Sequence, residues 1–268
     1  NFDQPRKLER AADYIITVFE AAGCDLEVQP FKVWEASVSN IECEFNGNSD
    51  SDEIVVVGAH YDSVEGSPGA DDNASGVSVL LELARRMAIL PRSKTLRFVA
   101  FVNEEPPFFQ TELMGSLVYA KRSAERSEHV VAMISLESLG YYSDAPDSQF
   151  YPPLFRPFFP DQGNFVAFVA NPCSWSLVRN AVASFRRSGA TIGTEGVVAP
   201  GFVEGVAWSD QWSFWLHDIP AIMVTDTALL RYNRYHTKED TPERLDYMRM
   251  ASVVRGIEAA IRDLVANE

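Results

Sequence analysis

Apolar residues recur along this chain at two spacings. Across residues 7–22, KLERAADYIITVFEAA, they fall at Leu8, Ala11, Ala12, Ile15, Ile16 and Phe19. That spacing predicts an amphipathic helix, and Gly23 suits its end. Two short extended segments follow, near 26–34 and 38–45, with Asn46-Gly47 as a turn signal. EIVVVGAHYDS then reads as a buried strand that runs into a polar loop, and residues 74–89 read as a helix ended by Pro91. TLRFVAFVNEE and HVVAMISLESLGYY are two further strands, each ending in acidic residues, with a helix between them over 113–125. A strand at 165–170, a helix at 174–187 and a strand at 219–224 come next. A last helix is expected over 242–265, with Thr241 as N-cap and Pro242 in its first position. Strands alternating with helices imply an α/β fold around a largely parallel sheet, whose ligands bind beyond the carboxyl ends of the strands.

The chain has 268 residues, 46% of them hydrophobic, enough for a sizeable core and read as a single domain spanning 1–268. No apolar run approaches the ~20 residues that span a bilayer. A net charge of −15 repels phosphate backbones and anionic lipid, so neither nucleic acid nor a membrane surface is an expected partner. Carboxylates that hold a cation would account for part of that charge. Cys24, Cys43 and Cys173 are widely spaced, with no CxxC pair, and read as buried or half-buried free thiols. The chain opens on Asn1 without Met or an apolar leader, as a trimmed or processed chain would, and its compartment stays open. Residues 141–163, rich in Pro and aromatics, are expected to form a long structured loop of the kind that often carries function.

The chemistry lies in five separate polar segments. His60-Tyr61-Asp62 follows one strand and Asp71-Asp72-Asn73 opens the next helix. Glu104-Glu105 and Glu137 end two more strands, and His236 sits in the loop YNRYHTKEDT. Each alone has an ordinary explanation: a polar loop residue, a helix cap or a solvated acidic pair. Together they deliver imidazoles and carboxylates to one sheet edge. That donor set suits zinc. Two cations close together need a bridging anion, which a carboxylate supplies. A carboxylate that is not a ligand can take a proton from water.

The strings GAHYDS (58–63), GADDNASG (69–76), NEE (103–105), LESLG (136–140) and YHT (235–237) resemble, in this order, those of the M28 family of zinc peptidases, which includes bacterial aminopeptidases. The resemblance implies a mixed, largely parallel sheet sandwiched by helices, a peptide substrate and two zinc ions per chain. It implies His60 and Glu137 on one zinc, Glu105 and His236 on the other, and Asp72 bridging both. Glu104 would be the general base, and Tyr235 would donate a hydrogen bond to the oxyanion. Asp62 would stand behind His60 and fix its tautomer, although a turn cap is its alternative reading. Asp71 and Asp72 compete for the bridge. The family pattern places the ligand directly before Asn, which selects Asp72 and leaves Asp71 as a solvated loop carboxylate.

Family aminopeptidases commonly carry Asp where this chain has Glu137, and there that carboxylate also helps to hold the substrate's free amine. Glu137 therefore leaves carboxypeptidase-like or dipeptidase specificity beside the aminopeptidase expectation. Glutaminyl cyclases resemble the same fold, but typically carry Ser in place of Asn73 and use one zinc. In a non-catalytic binding relative, ligands would be lost, whereas here all five ligand positions keep ligand residue types. Cobalt or manganese also suits this donor set. PPFFQTELM (106–114) reads equally as a pocket wall or as a rigid cover of the sheet edge. Phe158, Phe159, Trp208, Trp212 and Trp215 are given no role. Asp210, in WSDQWSFW, resembles a family segment near the site and is a candidate substrate-binding residue. His129 and His217 are read as structural or solvated. Side-chain preference and oligomeric state are not legible.

Overall fold

The computed structural model describes residues 4–48, 51–151 and 156–266. It begins with helix α1 (Pro5–Ala22), which Gly23 closes in the left-handed region at φ 78°. The hairpin β1 (Asp25–Val33) and β2 (Ala36–Phe45) follows. Next come β3 (Glu53–His60), α2 (Gly76–Met87), β4 (Thr95–Phe101), α3 (Gly115–Glu125) and β5 (His129–Glu137). The second half holds β6 (Phe165–Ala170), α4 (Trp175–Arg187), β7 (Gly193–Val198), α5 (Gln211–Trp215), β8 (Ala221–Thr225), α6 (Ala228–Arg231) and α7 (Tyr247–Val265).

The strands form one mixed sheet in the order β1-β2-β4-β3-β5-β8-β6-β7. The central strands β4, β3, β5 and β8 are parallel, so their carboxyl ends share one edge. The hairpin joins antiparallel to β4, and β6 joins antiparallel to β8 with β7 parallel to it. Central strands are buried on both faces, which is why they read as continuous apolar runs. On β3, Val55, Val57 and Ala59 meet α1, α2, α4 and α7 through residues such as Phe19, Leu83, Phe185 and Ile257. Ile54 and Val56 face the other way, toward Tyr119 of α3 and Phe214 of α5. Among the described residues, no helix is long and apolar enough to cross a membrane.

Two expectations are corrected and one open alternative is resolved. Cys24 and Cys43 are not free thiols but a disulfide with Cα atoms 5.4 Å apart. The hairpin register, with Leu26 opposite Cys43, carries the end of α1 to β2, a proximity that the sequence separation of 19 conceals. Cys173 is free and exposed. Secondly, the last helix does not start at Pro242. Residues Pro242–Arg244 make a single 3₁₀ turn, Leu245 is extended, and Asp246 caps α7 by accepting from the Arg249 N–H at 3.0 Å. The Asp246 N–H bonds Gly140 O at 2.8 Å, which ties the helix start to the sheet edge. Lastly, 106–114 does not line the cavity formed by Glu137, Tyr151, Phe165 and Tyr235. Phe108 packs with Leu8, Val33 and Val102, as a cover would. The strand β7, with Gly, Thr and Glu on a sheet edge, shows no apolar run and was not expected, nor were the short helices α5 and α6.

Candidate metal centre

The strand ends place the site. β3 finishes on His60 and β5 on Glu137, while Glu104 and Glu105 follow β4 by a few residues. At three of these turns a non-glycine residue takes a positive φ: Asn103 at 60°, Ser138 at 48° and His236 at 58°. The left-handed region is sparsely used by such residues, and it recurs here where the chain must turn sharply at the sheet edge.

His60 Nε2 lies 3.3 Å from Asp72 Oδ1 and 3.2 Å from Glu137 Oε2. His236 Nε2 lies 3.0 Å from Asp72 Oδ2 and 3.3 Å from Glu105 Oε2. Each trio can direct one atom per residue at a shared point, and Asp72 belongs to both, one oxygen to each. Donors around one tetrahedral zinc at about 2.0–2.2 Å stand about 3.3–3.6 Å apart, so these spacings fit the ion. Glu104 is buried and belongs to neither trio, with Oε2 at 3.8 Å from His60 Nε2. Tyr235 stacks on His236 with ring centroids 3.8 Å apart and lines the adjoining cavity together with Glu137.

Asp62 behaves differently from a simple imidazole partner. Its Oδ1 and Oδ2 accept the Glu104 and Glu105 N–H groups, each at 3.1 Å. His60 Nδ1 is 3.2 Å from the Asp62 backbone oxygen and 3.6 Å from Oδ1. One aspartate thus orients the loop after β3 and the acidic pair after β4 together. Asn73 does similar work between α2 and β5. Its amide donates to Leu136 O at 2.8 Å and accepts from Gly76 N–H at 3.1 Å and Ser138 N–H at 3.0 Å. A Cβ on Gly76 would sit 2.2 Å from Asn73 Oδ1, so only glycine allows this approach. Asp71 is buried, not solvated as expected. It accepts the Gly140 N–H at 2.8 Å, because its loop is folded under the sheet edge. Asp240 holds that loop from outside, accepting the Asp71 N–H at 2.9 Å and the Asp72 N–H at 3.3 Å. Ser209 and Ser138 donate to Glu137 at 2.8 and 2.9 Å, and the Val64 N–H donates to Glu105 Oε1 at 2.9 Å. Asp240, Ser138 and Ser209 carried no pattern that sequence reasoning could find.

Electrostatics are dominated by burial and mutual repulsion. Burial raises the Glu104 carboxyl well above its ordinary range; His60 pulls against this, and Glu105, Glu137 and Asp210 add to it. Burial, then the charge of Asp72, pushes Glu105 up to about 7 against the pull of His236. For Asp72 burial loses, because hydrogen bonds from His236 and His60 hold its carboxyl below the ordinary range. Burial disfavours a charged His236, yet Asp72 and Glu105 raise it to about 10. Burial and the surrounding carboxylates keep the Tyr235 phenol protonated, as a donor. Asp210 is fully buried and pushed up to about 7, first by desolvation, with His60 and Ser116 opposing. It lies beside the site without lining the cavity.

The cavity, about 130 Å³, opens next to Glu137 and Tyr235. Phe159 and Trp208 line it, whereas Phe158 is exposed, Trp215 packs into the core clusters and Trp212 is half-buried on α5. His129 is exposed and pairs with Asp52, and His217 is half-buried away from both trios.

The protein-family model described as Peptidase family M28 matches residues 40–261. The chain is 41% identical to the uncharacterized protein YfbL of Escherichia coli over 264 residues, 95% of this chain and 80% of that one. BSAP, a zinc aminopeptidase from Bacillus subtilis, matches in structure with a TM-score of 0.66 at 25% identity, covering 88% of this chain and 52% of its own. The glutaminyl cyclase of Fimbriiglobus ruber shares the fold with a TM-score of 0.70 at 18% identity, covering 94% and 86%. This chain therefore spans most of YfbL but about half the length of the solved B. subtilis enzyme.

Proposed function

The chain belongs to peptidase family M28, and from that premise we propose that it is a zinc-dependent aminopeptidase acting through a two-metal site, residues 1–268 forming one catalytic unit. One observation carries the reading: two donor trios that share Asp72 through its separate oxygens, with a buried carboxylate, Glu104, left outside both.

In this reading His60 and Glu137 would hold one zinc, Glu105 and His236 the other, with Asp72 offering one oxygen to each. Bound zinc supplies Lewis acidity for the scissile carbonyl and acidifies water. Glu104 accepts a proton from the attacking water. As the C–N bond breaks, it passes that proton to the departing amine. Tyr235 donates a hydrogen bond to the oxygen that gains charge. Asp62 keeps Glu104 and Glu105 in register through their backbone amides.

The amino end is favoured over the carboxyl end on charge. Among the described residues that line the cavity none is a lysine or arginine, so a terminal carboxylate would find no cationic side chain there. A free ammonium instead finds Glu137 and Glu104 with oxygens near His60. The longer Glu137 is held by Ser138 and Ser209, which leaves its charge available at the cavity mouth.

The test is a panel of free-amine amino-acyl reporters, amino-blocked peptides with free carboxyl ends, and glutaminyl peptides. Each is assayed as purified, after chelation and after zinc addition, with metal content measured. Free-amine reporters should be cleaved, fall silent on chelation and recover with two zinc ions per chain. Cleavage of blocked peptides alone would make the protein a carboxypeptidase. Cyclisation of glutaminyl peptides with one zinc would make it a cyclase.

A further inference from the structure

The cavity beside the metal centre has a carboxylate at each end. Glu137 on β5 is paired with Thr225 on β8, Thr225 with Ala167 on β6, and Ala167 with Glu195 on β7. Residues paired directly across strands present their side chains on one face. All four line the cavity. The row therefore runs from a metal-site carboxylate, over a floor of two small residues, to a second carboxylate about 14 Å away, three strand spacings of about 4.8 Å. Phe165, Val169, Met223 and Val197 flank this floor, and Phe159 and Trp208 add aromatic wall.

Glu195 is half-buried, and Glu204 stands exposed at the same cavity. Neither has an ion pair or side-chain hydrogen bond among the described residues. The contrast within this fold is sharp, since the buried Glu42 is held by both Arg97 and Arg122. A carboxylate in an apolar cavity loses hydration whenever an apolar group fills the space, and that loss is offset only by a cation.

We propose that this cavity takes the side chain of the substrate's first residue and that Glu195 selects lysine and arginine, an apolar stem ending in a cation. The inference rests on the aminopeptidase reading. Such side chains reach about 6–7 Å from Cα to the charged group at ordinary covalent dimensions. With Cα near Glu137, the stem lies over Thr225 and Ala167 against the apolar walls, as long cationic side chains do on protein surfaces. That leaves about 7 Å of the backbone spacing, which the Glu195 side chain, reaching about 4–5 Å from its own Cα, closes to ion-pair distance, with Glu204 adding negative potential at the rim.

The experiment compares kcat/KM of the zinc-loaded chain on arginyl, citrullyl, lysyl, norleucyl and glutamyl reporters. Citrulline and norleucine match arginine and lysine in shape without the charge. Arginyl over citrullyl, and lysyl over norleucyl, should each exceed about tenfold, the scale of one hydrogen bond to a charged group. Glu195→Gln should bring both ratios near unity. Glu195→Lys should raise glutamyl relative to arginyl turnover, a gain that misfolding does not produce. Ratios near unity in the parent chain, or ratios unmoved by Glu195→Gln, would overturn this selectivity and leave the aminopeptidase reading standing. Absence of turnover on every free-amine reporter would overturn both.

Discussion

Two acidic clusters, one buried and one buried only at Glu42, sit on the same sheet and are solved in opposite ways. Where β2 meets β4, Arg97 lies 3.4 Å from Glu42, 2.6 Å from Glu44 and 2.7 Å from Glu128. Arg122 adds 2.6 Å to Glu42 and 3.1 Å to Glu27. That cluster is complete within the protein. At the carboxyl edge, the cationic partners of Asp72, Glu104, Glu105 and Glu137 among the described residues are the imidazoles of His60 and His236, beside neutral hydroxyl and amide donors. Here burial and repulsion push the Glu104 and Glu105 carboxyls up, whereas in the first cluster Arg97 holds Glu128 below its ordinary value against the cost of burial. The first arrangement serves stability. The second leaves a deficit of positive charge at a defined point, which a pair of divalent cations would fill.

The sharpest way to break this comparison is Glu104→Gln. Turnover should fall by about 10²–10⁴, the range of general-base contributions, while two zinc ions stay bound. Substantial remaining activity, measured beside metal content, would remove Glu104 from the role of base. The counterpart in the other cluster is Arg97→Met. Glu44 and Glu128, half-buried, lose their main partner there while Arg122 keeps Glu42 paired, so the loss should be about 1–3 kcal/mol in a denaturant titration, with zinc content and KM unmoved. A loss of zinc in that variant would show the clusters to be coupled.

Chelation should act on the edge cluster alone. At zinc a hundredfold above its Kd, metal removal should cost about 2.7 kcal/mol of stability for each zinc site, read as a lower Tm that zinc restores. An unchanged Tm would mean that the edge carboxylates need no cation. The smallest effect concerns pH. Glu128 has a folded pKa depressed below 4.5, so its stabilisation is present above that value and is lost as pH falls through the lower folded pKa. Glu128→Gln should therefore flatten the acid limb of Tm against pH by no more than about a few degrees. A difference that appears instead near neutrality would contradict the assignment.

Much of the fold was legible because its signals are local. Continuous apolar runs at 54–57 and 98–102 marked strands buried on both faces, and a polar residue just past each run marked the site edge. His60, Asp72, Glu105 and Glu137 were legible for the same reason, since each follows a strand or opens a helix, whereas His236 sits in a loop and was marked by the motif resemblance. Less local facts escaped. Asp71 looked like a solvated neighbour of Asp72, yet it is buried against Gly140. Thr241 and Pro242 looked like a helix start, yet Asp246 caps α7 two turns of chain later. Cys24 and Cys43 meet only because a hairpin register brings them together.

The sequence by itself determined the order of elements, the edge at which the polar residues emerge and the residue types offered to a metal. These follow from side-chain periodicity and from the direction of each strand. Only the tertiary structure decided which oxygen of Asp72 faces which histidine, that Asp62 steadies Glu104 and Glu105 through their amides, and that Glu195 shares a row with Glu137. The last depends on β6 entering antiparallel beside β8, which reverses the outer strands relative to the centre. Pairings between segments far apart in the chain are set by how the sheet closes its order, and no local pattern encodes that.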